Sequence, residues 1–299
     1  MAASSVFRSG LFNGRVAVVT GGATGIGRAI TEELLRLGCR VRIASRDEDK
    51  LRGATEEMRK HYKDISYMKC NIRIEEDVKK LISSTVSDLG RLDFLVNNGG
   101  GQFVQPAESI TRKGWHAVIE TNLTGTFHMC QEAYNQWMEQ HGGAIVNITM
   151  DTYRGTPLMA HSGAARAGVD NLTKSLAIEW AEAGVRVNAV APGNLIYSPT
   201  AEKNYGDIDL FKQMTPYLPS KRLGLPEEIS PAVIFLLCDA ASLITGQVLG
   251  VDAGSRLYSR LLKEIPDHDR WPKPPSAKEA ALKDENLGES TNTDLKSKL

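Results

Sequence analysis

The sequence predicts an α/β protein in which a doubly wound parallel sheet forms a single domain. Short apolar runs rich in β-branched residues alternate with longer stretches whose apolar residues recur at helical spacing. This alternation is typical of a parallel sheet covered by helices on both faces, because each crossover between parallel strands needs a long connection. No linker-like stretch interrupts the pattern before about residue 270. We therefore expect one domain over residues 15–270.

Seven strand-like runs follow one another along this domain. They lie at residues 15–19, 40–44, 66–69, 93–96, 144–149, 185–190 and 247–251. The first helical pattern lies between the first two strands and ends at Gly38. Further helical patterns cover residues 48–62, 75–89, 111–141, 162–183 and 226–238. A loop over about residues 193–222 carries proline and glycine, and we assign substrate binding to it.

The composition is that of an ordinary globular protein, with 41% hydrophobic and 24% charged residues among 299. Lys and Arg total 36, as do Asp and Glu, so no global charge favours nucleic acid or an anionic membrane as a partner. No run approaches the ~20 apolar residues of a membrane span. The four cysteines show neither metal-ligand nor disulfide spacing, which indicates a reducing compartment and no metal site.

The two ends of the chain differ from the predicted domain. Residues 1–14 are rich in serine and lead directly into the first strand, so we interpret them as an N-terminal arm. Residues 271–299 carry prolines and charges with few apolar anchors, which predicts a flexible tail. This tail ends in Ser297-Lys298-Leu299, a tripeptide that the peroxisomal import receptor reads as an address. It predicts a peroxisomal location with that receptor as a partner.

A glycine turn joins the first strand to the first helix in residues 20–27, Thr-Gly-Gly-Ala-Thr-Gly-Ile-Gly. A strand, a glycine turn and a helix in this order form the phosphate-binding end of a dinucleotide site. Gly21 allows the tight turn, Gly25 lets the backbone approach the pyrophosphate, and Gly27 lets helix and strand pack closely. Backbone N–H groups at the start of the helix then face the phosphates. Thr24 and Ile26 complete the predicted cofactor contacts of this turn.

Four further motifs follow the glycine turn in order. They are Asn97-Asn98-Gly99-Gly100-Gly101 after the fourth strand, Thr121-Asn122 on the next helix, Pro192-Gly193 after the sixth strand, and Arg222-Leu-Gly-Leu-Pro-Glu-Glu228 before the last helix. Together with the glycine turn they resemble the short-chain dehydrogenase/reductase family over about residues 12–256. The resemblance implies a Rossmann-type sheet, a homo-oligomer (tetramer), and cofactor contacts by Asn98, Gly99, Pro192 and Gly193. For Asn122 it implies a kinked helix and a water relay at the catalytic centre.

Three segments resemble one group within this family. They are Gln102-Phe103 after the glycine triplet, residues 162–169 (Ser-Gly-Ala-Ala-Arg-Ala-Gly-Val) and residues 266–272 (Pro-Asp-His-Asp-Arg-Trp-Pro). They look like members that reduce trans-2-enoyl-CoA in peroxisomes. The resemblance implies a fatty acyl-CoA substrate whose α,β double bond is reduced at the expense of NADPH.

The residues after the second strand favour the same cofactor. Ser45-Arg46 stands where the adenosine ribose is expected. A site for NAD places an acid there, whereas Arg46 suits the 2′-phosphate of NADPH. Asn71 stands where the family usually has an adenine-binding Asp, and its amide can still donate and accept.

The catalytic motif departs from the family pattern. Members that oxidise alcohols or reduce ketones carry Tyr-x-x-x-Lys at the start of the sixth helix and a Ser after the fifth strand. Here the Tyr position is Ser162 and the Lys position is Arg166, while the Ser position falls at Thr149 or Met150. A guanidinium does not titrate usefully. The pattern therefore weakens a ketone reductase and leaves Ser162 and Arg166 as candidate catalytic residues of another reaction.

Two replacements for the missing tyrosine are open. In dienoyl-CoA reductases of the family, a loop Tyr and a helix-start Ser donate to the thioester carbonyl, and Tyr153 and Ser162 could do the same. In relatives of the enoyl-CoA reductases, a Tyr lies four residues before the equivalent of Lys174, but this chain has Asp170 there. Residue 170 lies eight helical positions beyond Ser162, or ~12 Å along the axis, so we interpret Asp170 and Lys174 as surface or packing residues.

The expected activity is reduction of trans-2-enoyl-CoA with NADPH. Two alternatives remain open at this point. A 2,4-dienoyl-CoA reductase would use the same Tyr and Ser donors. A dinucleotide-binding protein with little catalysis would explain the absence of the usual Tyr and Lys.

Overall fold

A computed structural model describes residues 5–193, 196–198 and 210–274. In this part of the chain seven parallel strands form one sheet, in the order β3-β2-β1-β4-β5-β6-β7. The strands are β1 (Val16–Thr20), β2 (Arg40–Ser45), β3 (Ile65–Lys69), β4 (Phe94–Asn97), β5 (Gly143–Ile148), β6 (Val185–Pro192) and β7 (Val248–Val251). The order reverses between β1 and β4, which opens a crevice at their carboxyl ends where doubly wound sheets bind ligands.

Helices connect the strands. They are α1 (Gly25–Arg36), α2 (Glu48–Arg59), α3 (Glu75–Leu89), α4 (Arg112–Ile119), α5 (Gly125–Ala133), α6 (Glu139–His141), α7 (Ala160–Glu179), α8 (Leu210–Met214) and α9 (Pro226–Leu237). Two π-helical turns, Glu120–Thr124 and Tyr134–Met138, join α4, α5 and α6 into one helical rod. The sequence predicts a helical region over about residues 111–141, which this rod confirms, but it does not predict the two π turns within it. Periodicity does not reveal them because each adds only a local wide turn.

The core lies on both faces of the sheet, which confirms the doubly wound fold. Side chains of one strand alternate between the faces. Ala17 and Val19 of β1 pack in a cluster with α1, α2 and α9, whereas Val18 belongs to the opposite cluster with α3, α5 and α7. Because both faces are covered, β1 is buried throughout and, apart from Thr20 at its end, apolar rather than alternating.

The regions flanking the sheet pack on the domain where they are described. Phe12 of the N-terminal arm is buried against Phe94, with ring centroids 4.9 Å apart. Arg222 donates a hydrogen bond to the carbonyl of Pro272, so the first residues of the predicted tail contact the domain. Ser297, Lys298 and Leu299 lie outside the described residues. Within the described part of the chain, every helix is too short or too polar to cross a lipid bilayer.

Candidate active site

The glycine turn between β1 and α1 has the conformation that its sequence predicts. Gly21 and Gly25 have φ values of +66° and +53°, which other residues rarely adopt. A Cβ atom on Gly27 would lie 2.3 Å from the carbonyl oxygen of Gly21. The turn is therefore a close backbone cradle, and any side chain at these positions would strain or fill it.

Asn98 ties the end of β4 to the end of β1. Its Nδ2 donates to the carbonyl of Thr20 at 3.0 Å, and its backbone N–H donates to Thr20 Oγ1 at 3.0 Å. The N–H of Gly99 donates to the same hydroxyl oxygen at 2.8 Å. These bonds fix both sides of the crevice, so that Asn98 and Gly99 present backbone atoms toward it.

A cavity of about 290 Å³ opens at this edge of the sheet. Its walls come from the glycine turn, the β4–α4 loop, the end of β5 and the end of β6. The predicted residues that line it are Gly21, Thr24, Gly25, Ile26, Asn98, Gly99, Arg166, Pro192 and Gly193. Backbone N–H groups at the start of α1 and a wall of glycines suit the pyrophosphate of a dinucleotide. The residues present therefore fit such a cofactor.

The other predicted cofactor residues lie beside the cavity rather than in its wall. Ser45 is the last residue of β2 and Arg46 follows it. Strand β2 pairs with β1, and the Gly21 N–H donates to the Ala44 carbonyl at 2.7 Å. Arg46 is exposed. Asn71 follows β3, and its Oδ1 accepts from the backbone N–H of Arg73 at 3.3 Å. All three positions share the edge of the sheet with the glycine turn, at the side away from β4.

Asn122 lies in the first π turn and is buried. Its Oδ1 accepts from the N–H of Gly101 at 2.9 Å, and its Nδ2 donates to the carbonyl of Gly101 at 3.0 Å. Thr126 Oγ1 donates to the carbonyl of Asn122 at 2.9 Å. The π turn thus places a buried amide against the glycine loop and holds that loop in the cavity wall.

Ser162 and Arg166 share one face of α7, one turn apart. The Ser162 hydroxyl is buried and donates to Gln102 Oε1 at 3.0 Å. Arg166 Nη1 donates to the carbonyl of Ile148 at 2.8 Å, and a Cβ atom on Gly100 would lie 2.2 Å from Nη2. Burial lowers the pKa of Arg166 to about 10, against an opposing effect of Asp170. The guanidinium therefore remains a fixed positive charge at neutral pH.

Tyr153 is not in the cavity wall. Its side chain is 73% exposed, and its backbone N–H donates to Asp151 Oδ1 at 3.0 Å. The two ends of its loop, Met150 and Met159, do line the cavity. The structure therefore places the Tyr153 loop at the border of the site, with the hydroxyl turned to the surface.

Asp170 and Lys174 are also outside the cavity wall. Asp170 is half-buried and accepts a hydrogen bond from Thr152 Oγ1 at 2.6 Å, while Lys174 is exposed. This agrees with the interpretation of the pair as packing and surface residues.

Sequence reasoning did not assign a site role to several residues of the cavity wall. They include Gly100, Gly101, Gln102, Ile148, Met159, Ile196 and Ser198. Gln102 could have been found, because it follows directly on the glycine run after β4. Met159 and Ile196 carry no signal in the sequence, since they lie in irregular loops and enter the wall only through the fold.

The fold and the cavity define a dinucleotide-binding oxidoreductase, and comparisons with known proteins agree. Residues 21–256 match the family model described as Enoyl-(Acyl carrier protein) reductase. The chain is 36% identical over 260 residues to the peroxisomal 2,4-dienoyl-CoA reductase of Danio rerio, covering 85% of each protein. It is 36% identical over 246 residues to the probable 2,4-dienoyl-CoA reductase of Bacillus subtilis, covering 81% of this chain and 97% of that protein.

A solved structure is also similar. The citronellol catabolism dehydrogenase of Pseudomonas aeruginosa superposes with a TM-score of 0.75 at 39% identity, covering 84% of this chain and 99% of that one. The chain therefore belongs to the short-chain dehydrogenase/reductase family. Its members are oxidoreductases that use a nicotinamide dinucleotide.

Proposed function

We propose that the protein reduces the α,β double bond of a trans-2-enoyl-CoA with NADPH in peroxisomal fatty acid metabolism. The observation that carries the proposal is the pair Ser162 and Arg166 on one buried face of α7. A ketone reductase must pass a proton to the substrate oxygen, and neither an aliphatic hydroxyl nor a guanidinium is a good acid near neutral pH. Reduction of an enoyl thioester instead needs stabilisation of the negative charge on the carbonyl oxygen. The proton is added to the α-carbon and not to that oxygen.

When bound, NADPH would supply the hydride that the β-carbon of the substrate accepts. Backbone N–H groups of the glycine turn would hold its pyrophosphate, and Arg46 would pair with the 2′-phosphate. Asn98, Gly99, Pro192 and Gly193 would hold its nicotinamide half, and Asn71 would contact the adenine.

Negative charge then develops on the thioester oxygen. Ser162 can redirect its hydroxyl from Gln102 to that oxygen, and the fixed charge of Arg166 stabilises the enolate from the wall. Asn122 holds the glycine loop in place. Tyr153 supplies the second hydroxyl, which requires its loop to close over the substrate, since the ring is exposed in this structure. The enolate then takes a proton from water at the α-carbon, which completes the reduction.

Reduction of a 2,4-dienoyl-CoA is the second candidate, because relatives at 36% identity carry that name. The same donors would serve it, since charge again collects on the thioester oxygen. Oxidation of NADPH measured with trans-2-enoyl-CoA, 2,4-dienoyl-CoA and a ketone separates the candidates. We expect turnover with the enoyl thioester. Activity with the dienoyl thioester alone would favour the second candidate, and binding of NADPH without any turnover would indicate a dinucleotide-binding protein.

Variants of α7 test the mechanism. Ser162→Ala should lower turnover on the enoyl thioester ~100- to 1,000-fold, the usual cost of one oxyanion donor. Ser175→Ala is the matched control, because Ser175 lies on the same helix, is exposed, and bonds only to the Asn171 carbonyl among its described contacts. Equal turnover in the two variants would overturn the role of Ser162.

Peroxisomal import and assembly belong to the same proposal. Ser297-Lys298-Leu299 is the address that supports import. A tetramer is supported by exposed apolar side chains on α4, α5 and α7, namely Trp115, Phe127 and Ile178.

A further inference from the structure

A second cavity, of about 210 Å³, adjoins the candidate active site. Gly193 and Ile196 line both cavities, so the two spaces meet at the end of β6. The rest of its wall includes the charged residues Arg222, Glu228 and Asp252 and the apolar residues Leu218, Ile229 and Trp271. The predicted cofactor contacts do not extend into this second cavity beyond Gly193.

The charged residues of this wall already have partners within the protein. Arg222 donates to both carboxylate oxygens of Glu228, at 2.6 and 2.8 Å. Asp252 accepts from the backbone N–H groups of Gly254 and Arg256, each at 3.0 Å. Most of these charged atoms are thus satisfied within the protein, while Arg222 Nε is buried without a hydrogen-bond partner among the described residues, and the remaining surface of the wall is mainly apolar. Such a cavity can bury hydrocarbon but cannot repay the desolvation of a phosphate.

Trp271 reaches this wall from the C-terminal strap, by which we mean residues 256–274. The strap is fastened to residues 216–222 at several points. Lys221 Nζ lies 3.7 Å from Asp267 Oδ1, and His268 Nε2 lies 2.9 Å from the carbonyl oxygen of Pro219. Arg222 donates to the Pro272 carbonyl, directly after the indole. These contacts hold the backbone on both sides of Trp271 against the domain, and Trp271, which is 36% exposed, lies in the cavity wall.

We propose that the second cavity receives the distal end of the fatty acyl chain and that Trp271 closes it, so that this side chain sets the preferred chain length. The inference rests on the proposed function. With the thioester carbonyl beside Ser162 and Gln102, the acyl chain leaves the active site past Gly193 and Ile196. It then meets the apolar surface of Leu218, Ile229, Val251 and the indole.

Two variants with opposite effects test this assignment. Trp271→Ala opens the end of the cavity and Leu218→Trp fills its side. The readout is kcat/KM for hexadecenoyl-CoA, octenoyl-CoA and butenoyl-CoA. Each methylene that gains or loses burial changes this value ~4-fold, equivalent to about 0.8 kcal/mol. We expect the ratio of the longest to the intermediate substrate to rise about tenfold or more in Trp271→Ala and to fall by a similar factor in Leu218→Trp.

Trp137→Ala is the control for loss of an indole. Trp137 stacks on His141 at 3.8 Å, near the start of β5 and so at the opposite edge of the sheet. Its removal should leave the chain-length profile unchanged. An unchanged profile in folded Trp271→Ala and Leu218→Trp, with normal reduction of the enoyl thioesters, would overturn the inference and leave the proposed function standing. If Trp271→Ala fails to fold, the profile of Leu218→Trp decides. Failure of the unmutated protein to reduce any CoA thioester would overturn both.

Discussion

The hydroxyl of Thr152 lies 2.6 Å from Oδ2 of Asp170, so the loop that carries Tyr153 is fastened to the middle of α7. Asp170 stands where relatives of the enoyl-CoA reductases carry a Tyr, four residues before the equivalent of Lys174. If the catalytic residues lay there, Asp170 would take the place of that Tyr. Its carboxylate is directed at the loop instead, and it does not line the active-site cavity. We therefore predict a packing role for Asp170, in which its carboxylate holds the loop in its resting position.

Asp170→Asn should therefore change turnover little while changing how stability depends on pH. Burial raises the pKa of Asp170, against the opposing hydrogen bond from Thr152. A raised pKa means that the folded state binds the proton more tightly, so the neutral carboxyl stabilises the fold at low pH and this contribution is lost as pH rises through the folded pKa. We expect the free energy of unfolding of the variant, minus that of the unmutated protein, to increase between pH 4 and pH 7.

Denaturant unfolding at several pH values, with parallel turnover assays, checks this prediction. A pH-independent stability difference would contradict the role given to burial. Loss of turnover in Asp170→Asn would indicate that Asp170 and Lys174 are the catalytic pair.

Gly100→Ala should destabilise the protein more than Gly101→Ala. A Cβ atom on Gly100 would lie 2.2 Å from Arg166 Nη2 and 3.0 Å from Asn122 Oδ1, whereas a Cβ on Gly101 meets nothing within 4 Å. Overpacking of this kind costs about 1–3 kcal/mol. Thermal or denaturant unfolding of the two neighbouring variants measures the difference. Equal stabilities would show that the Arg166 guanidinium can move without cost.

The sequence predicts the glycine turn that borders the site well, and the side-chain contacts inside the site less well. Gly21, Gly25 and Gly27 are identifiable because each meets a backbone requirement that only glycine satisfies, and such requirements are local. The pairings of Asn122 with Gly101 and of Ser162 with Gln102 join residues 21 and 60 positions apart. They depend on a π turn and on loop conformation, which periodicity does not encode. Tyr153 shows the same limit, because loop length does not determine which way its ring points.

Arg46→Asp should erode the proposed preference for NADPH over NADH. Arg46 is exposed at the end of β2, beside the glycine turn, so an acid there would accept from a ribose hydroxyl and repel a 2′-phosphate. The ratio of kcat/KM for the two cofactors measures the effect. Equal use of NADPH and NADH by the unmutated protein would contradict the assignment.

Import should depend on the last three residues. A fluorescent fusion lacking Ser297-Lys298-Leu299 should remain in the cytosol, because the receptor reads a free C-terminal tripeptide. Imaging in cells that lack an untagged copy of the protein is the necessary control, since an intact subunit could carry a truncated one into the organelle. Peroxisomal fluorescence in such cells would require another signal.

Tyr153→Phe tests whether the loop after β5 closes during the reaction. We expect turnover on trans-2-enoyl-CoA to fall ~100- to 1,000-fold, the cost of losing one donor to the enolate oxygen. The affinity for NADPH should remain nearly unchanged, because the cofactor cavity does not include Tyr153. Since Tyr153 is 73% exposed, removal of its hydroxyl should not affect the free energy of unfolding.

The control for this variant is Tyr217→Phe. Tyr217 is also an exposed tyrosine, at 49%, and it lies in the turn after α8, outside the walls of both cavities. This change should leave turnover near that of the unmutated protein. Near-normal turnover in Tyr153→Phe would mean that the loop stays open and that Ser162 and Arg166 alone stabilise the enolate. The exposed position of the ring would then be its position throughout the reaction.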